Sequence, residues 1–79
     1  MTKIMIVDDE ENIRLGIAEA IRWADYDIEV VGQAANGVDA LQLAKQYRPD
    51  IVLLDINMPL MDGLEFSHRV KEFLPDLTI

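Results

Sequence analysis

Three short apolar runs punctuate this chain at nearly regular intervals, each followed by a polar turn and then by a stretch with helical spacing. The first, Lys3-Ile-Met-Ile-Val7, is of strand length and ends in Asp8-Asp9-Glu10-Glu11. The second, Ile28 to Ala34, holds Ile28, Val30 and Val31 as strand-favouring residues, with Glu29 and Gln33 between them and Gly32 as a weak point. Its mixed polarity predicts a strand at a sheet edge. The third, Ile51-Val-Leu-Leu54, is a continuous apolar run between Pro49-Asp50 and Asn57/Pro59. Such a run suits a parallel strand covered on both faces.

Helical spacing fills the intervals. From Glu11 to Ala24, Ile13, Ile17, Ala20, Ile21 and Ala24 recur every three or four residues, predicting one inward face. Arg22 falls near the end of that helix, where a cation is favoured, and Trp23 covers it. Asp25-Tyr-Asp27 makes the following turn. Asn36-Gly37 reads as a tight turn with left-handed backbone. A second helix follows from about Val38 to Tyr47, with Val38, Leu41, Ala44 and Tyr47 inward and Pro49 as its stop. A third runs from Gly63 to about Phe73 on Leu64, Val70, Phe73 and Leu74; the pattern leaves the side of Phe66 open. Leu77-Thr-Ile79 begins a fourth strand. Strands and helices that alternate through short connections specify parallel βαβ units.

Composition narrows this picture in a few places. Seventy-nine residues make one domain at most, and 51% apolar residues can furnish a core. With no cysteine, disulfides and thiolate metal sites are excluded. No stretch is long enough to span a membrane, and the N-terminus lacks the layout of a signal peptide, so the expected location is the cytoplasm. A net charge of −8 argues against direct contact with nucleic acid, whose phosphates need a basic face.

Candidate chemistry sits at the strand tips. If the first and third strands lie side by side and parallel, Asp8, Asp9 and Asp55 converge at one edge of the sheet. Carboxylates that close repel one another, by about 4 kcal/mol per pair at 4 Å and an intermediate dielectric, and a cation among them relieves this. Ligation by a few oxygens suits Mg2+, which retains water and engages phosphate. For Asp8-Asp9 alone, a plain acidic helix start is the simpler reading. Asp55-Ile-Asn-Met-Pro59 downstream tips the balance toward a site. The single histidine, His68, lies between Ser67 and Arg69 on a helix and reads as a solvated surface residue.

Lys3-Ile-Met-Ile-Val-Asp-Asp-Glu10, Asn36-Gly37 and Asp55-Ile-Asn-Met-Pro-Leu-Met-Asp-Gly-Leu-Glu65, in this order and spacing, resemble the receiver domain of bacterial two-component response regulators. The resemblance implies a flavodoxin-like doubly wound α/β fold of strand order 2-1-3-4-5, with the first and third strands adjacent at the topological switch point. It implies Asp55 as phosphoacceptor, with a Mg2+ site at Asp8, Asp9, Asp55 and the backbone carbonyl of Asn57. The implied partner is a sensor histidine kinase, and the implied role is a phosphorylation switch rather than a turnover enzyme, at the input of a transcriptional regulator. In the family a Ser or Thr closes the fourth strand, and an aromatic and a Lys lie on the fifth. None has a counterpart here: Thr78 matches the start of the fourth strand, while Lys3, Lys45 and Lys71 fall at the wrong end of a strand and on two helices. Residues 1–79 are therefore expected to form an incomplete receiver domain, whose exposed third-strand edge invites self-association or completion by another chain.

Three rival readings remain. A Mg2+-dependent phosphatase or nuclease on a similar sheet lacks a second ligand set and a general base. A flavin module would need a phosphate loop where Asp8 to Glu11 stand. The third is an interaction module that is never phosphorylated.

Overall fold

The computed structural model describes residues 1–55, 61 and 63–79. Strand β1 (Thr2–Val7) lies between β2 (Ile28–Ala34) and β3 (Ile51–Leu54), and both pairings are parallel, in the order β2-β1-β3. This is the order expected at the switch point, and β2 is at the edge. Thr78 forms a parallel bridge to Ile51 on the other flank of β3, where a fourth strand would begin. The Val52 amide donates to the Thr78 carbonyl at 2.8 Å, and the Thr78 amide to the Asp50 carbonyl at 3.1 Å.

Alternation along β1 divides the sheet into two faces. Met5 and Val7, with Val52 of β3, pack into one cluster with Ala40, Ala44, Phe66, Val70 and Leu77. That cluster lies beneath α2 (Gly37–Tyr47) and α3 (Gly63–Val70). Ile4 and Ile6 are buried on the opposite face, which α1 (Glu11–Ala20) accompanies. Cover there is thin. No residue of α1 is buried, and Leu53 of β3 remains 38% exposed, so β3 is not enclosed on both faces as its apolar run predicts.

Gly32 marks an irregularity. The β1–β2 register pairs Ile4 with Val30 but Met5 with Gly32, so Val31 is an extra residue in the edge strand.

The helices begin close to expectation, but α1 and α3 end short of it and the helices are turned differently. Helix α1 stops at Ala20, Ile21 is extended, and Trp23–Tyr26 form a separate 3-10 turn closed by Asp27 with φ 59°. Arg22 thus lies beyond α1 and pairs with Asp25 at 3.2 Å on the surface. Ile13 and Ile21 of the predicted stripe are exposed; the half-buried positions of α1 are Arg14, Ile17 and Ala18. One sheet surface covers only a narrow line of a helix, and no second layer shelters the flanks. On α2, Gly37, Ala40 and Ala44 are buried whereas Val38 and Tyr47 are exposed. Small residues face the sheet because α2 also packs against α3. Phe66 of α3 is fully buried, and Leu64 is 64% exposed. The regular helix ends at Val70; Phe73 and Leu74 still pack on the core from the turns that follow.

The Asn36-Gly37 pair corrects a prediction. Asn36 is extended (φ −156°, ψ 168°), and among the described residues no glycine has positive φ. Asn36 is the N-cap of α2. Its side-chain oxygen accepts from the Asp39 amide at 2.8 Å while its Nδ2 donates to the Asp39 carboxylate at 3.1 Å. Asn-Gly is as good a helix entrance as a turn.

A candidate cation and phosphoryl site at the strand tips

The site is a product of register. Ile4 pairs with Ile51 and Val7 with Leu54, so the next residues of the two strands, Asp8 and Asp55, emerge side by side. The Asp55 amide donates to the Val7 carbonyl at 2.9 Å, carrying the ladder to the end of β3. On the other flank the Asp8 amide donates to the Ala34 carbonyl at 3.1 Å. Asp8 is thereby tied to the edge strand and Asp55 to the central one.

Asp8 and Asp9 are consecutive, and an undisturbed strand would send them to opposite faces. They share a site because the chain leaves the pleat at Asp8. Its carboxylate accepts the Glu10 amide at 2.9 Å, closing a local turn that leads into α1. One oxygen from each of Asp8, Asp9 and Asp55 lies within 4.8 Å of the others. Asp8 and Asp55 are half-buried and Asp9 is exposed. This spacing fits a single hard cation with room for water: three carboxylate oxygens converge, and among the described residues no histidine or cysteine joins them in the cluster.

Beside the cluster a groove opens, lined by Ile6, Val7, Asp8, Ile17, Leu53, Leu54 and Asp55. Its lining is apolar except for the two acids, and Ile17 brings α1 to its edge. Asn57 lies outside the described residues. His68 is exposed on α3, as expected of a surface residue. Lys3 is fixed at the far end of the sheet, its amide donating to Asp50 Oδ2 at 2.9 Å and its Nζ to the Tyr47 carbonyl at 3.3 Å.

The sequence reading missed one residue beside the cluster. Arg14 reaches from α1 to the carbonyl of Asp8, with Nη1 2.9 Å from the oxygen. Its signal was weak, since a lone cation between Ile13 and Leu15 on an amphipathic helix reads as surface.

A family model for the response regulator receiver domain matches residues 4–79. Among curated relatives, a protein-glutamate methylesterase/protein-glutamine glutaminase of Agrobacterium fabrum is 43% identical over 75 residues, covering 95% of this chain and 21% of its own length. The response regulator protein VraR of Staphylococcus epidermidis is 40% identical over 77 residues, covering 98% of this chain and 36% of its own. Among solved structures, the receiver domain of AraT, a response regulator from Geobacillus stearothermophilus, superposes with a TM-score of 0.90 at 44% identity, over 95% of this chain and 58% of that one. The chain thus spans about a fifth to a third of these curated relatives' length. On its match to the family model, its strand order and its acidic strand tips, the chain belongs to the response regulator receiver domain family.

Proposed function

We propose that this chain is the phosphoacceptor switch of a two-component system, with Asp55 as the residue that receives the phosphoryl group. The observation that carries this reading is the convergence of Asp8, Asp9 and Asp55 oxygens within 4.8 Å at the end of two adjacent parallel strands. The donor is the phosphohistidine of a sensor histidine kinase. An Asp55 oxygen forms the new O–P bond as the donor's P–N bond breaks, and the imidazole keeps the electron pair. The product is an aspartyl phosphate, which water can later hydrolyse.

Asp8 and Asp9 would hold Mg2+ together with Asp55. When bound, the ion neutralises charge on the phosphoryl oxygens, which is most of what such a transfer needs besides alignment. The chain's own part is positional. The Asp55 amide bond to Val7 sets the end of β3, the Asp8 amide bond to Ala34 sets the end of β1, and the groove beside them leaves Asp55 open to a donor. The backbone carbonyl of Asn57 is proposed as a further ligand on the family resemblance alone.

The described helices include none long and apolar enough to cross a membrane, and a cytoplasmic kinase domain is the natural partner for such a switch. Residues 1–79 are proposed to be the first part of a receiver domain. The flank of β3 beyond Val52, with Leu53 exposed, is where a further strand from this protein or another chain would pair. Attachment to a transcriptional output is proposed on the family resemblance alone.

The test is chemical. The protein is incubated with Mg2+ and a small acyl-phosphate donor, and its intact mass is compared with that of Asp55→Asn. A single phosphate-sized gain in the unsubstituted protein alone supports the reading. Continuous release of inorganic phosphate from unrelated phosphoesters would favour the phosphatase alternative.

A further inference from the structure

The peptide that joins Asp8 to Asp9 is where the strand must turn so that two successive side chains serve one site. Turning has a cost, because the Asp8 carbonyl leaves the sheet and forgoes a ladder partner. Arg14 supplies the replacement. Its Nη1 donates to this carbonyl at 2.9 Å in a partly buried, charge-assisted bond. The Asp8 residue is then held at three points: its amide on Ala34, its carboxylate on the Glu10 amide, and its carbonyl on Arg14.

A further observation separates Arg14 from an ordinary surface arginine. Its Nε is buried and has no hydrogen-bond partner among the described residues, so the guanidinium is held in place against its own hydration. Its backbone is also anchored, since the Arg14 amide donates to the Glu10 carbonyl at 3.0 Å in the first turn of α1. The side chain therefore folds back over the same loop that its own helix turn closes. Because no residue of α1 is fully buried, this bond is a principal fixed link between α1 and the acidic tip.

We infer that Arg14 is a positioning residue for the acidic site: by fixing the Asp8–Asp9 peptide plane it aims both carboxylates at one cation. The inference rests on the reading of Asp8, Asp9 and Asp55 as a Mg2+ site and adds a residue to it. Arg14 touches neither the ion nor the phosphoryl group. It acts through the carbonyl of Asp8. Arginine suits the task because its planar fork stays charged and can point one N–H at a carbonyl while the stem packs against the loop.

The experiment is a calorimetric Mg2+ titration of the full chain and of Arg14→Met and Arg14→Lys, each at a temperature where circular dichroism shows it fully folded. The dissociation constant then reports the site and not the folded fraction. Loss of an outer partner that orients a ligand weakens metal binding by roughly 10- to 100-fold, and Arg14→Met should fall near the lower end of that range. Arg14→Lys, which keeps the charge without the fork, should lie between Met and Arg. Were Arg14→Met not to fold, Arg14→Lys would carry the test alone, with any weakening supporting the inference. Unchanged affinity in the folded variants, with Mg2+ still bound by the unsubstituted protein, overturns it and leaves the site reading intact. No Mg2+ binding by the unsubstituted protein overturns both.

Discussion

Gly37 and Met61 are packed so closely that a Cβ built on Gly37 would lie 2.5 Å from the Met61 carbonyl oxygen and 2.7 Å from its Cβ. The first residue of α2 thus packs directly on Met61, two residues before α3. Two effects oppose each other in Gly37→Ala. Alanine favours a helix over glycine by about 1 kcal/mol, whereas overpacking against backbone costs about 1–3 kcal/mol. The blocking atom is a carbonyl oxygen, which cannot rotate away like a side-chain tip, so a net loss is expected. Urea denaturation measures it; a variant more stable than the parent would show that Met61 yields freely.

The phase of α3 gives a paired prediction. Phe66 is fully buried and Leu64 is 64% exposed, two positions apart on the same helix. Truncation of Phe66 to Ala should cost about 3–5 kcal/mol, enough to remove cooperative melting from a chain this short. Leu64→Ala should stay within about 0.5 kcal/mol. Equal effects in thermal melts would mean that the helix is turned the other way.

Asn36 closes the entrance of α2 by a reciprocal pair of bonds with Asp39. Asn36→Ala should destabilise by about 1 kcal/mol, and Asn36→Asp or Asn36→Ser should recover most of it. If glycine and serine at this position melt at the same temperature as alanine, the cap is not formed in solution.

These cases also show what the residues revealed before the fold was seen. The three strands were legible because each is a compact apolar run with polar punctuation, and β2 and β3 carry the predicted boundaries. The acidic site was legible because strand ends in a parallel sheet meet at one edge, which brought Asp8, Asp9 and Asp55 together before any distance was known. Helix phase was not legible to the same degree. Ile13, Ile21, Val38 and Leu64 are apolar yet exposed, since the helices hold more apolar residues than one sheet face covers. Ala44 is inward as its spacing predicts, whereas Gly37 and Ala40 won their inward positions on α2 by being small, which a stripe of large residues conceals. Arg14 was hidden for a related reason: its partner is a main-chain carbonyl, and carbonyls leave no trace in a sequence.

The metal reading has its own signature in substitutions. Asp9→Ala removes a ligand charge from the most exposed corner of the cluster, and Mg2+ affinity should drop by at least about tenfold. Asp55→Asn keeps an oxygen in nearly the same place, so a weaker but measurable affinity should survive. A chelator should stop modification by an acyl-phosphate donor in the unsubstituted protein. Modification that proceeds at full rate in excess chelator would separate phosphorylation from the cation altogether.

Asp55 is proposed to be the one carboxylate, among the many of this acidic chain, that carries the phosphoryl group. Reductive trapping tests it most directly. Protein treated with Mg2+ and an acyl-phosphate donor is reduced with borohydride, which converts an acyl phosphate to an alcohol, and the digested peptides are mapped by mass spectrometry. If Asp55 is the phosphoacceptor, reduction falls on Asp55 alone, with Asp8 and Asp9 untouched. Reduction at Asp8 or Asp9, or a label spread across surface carboxylates with none at Asp55, would contradict it.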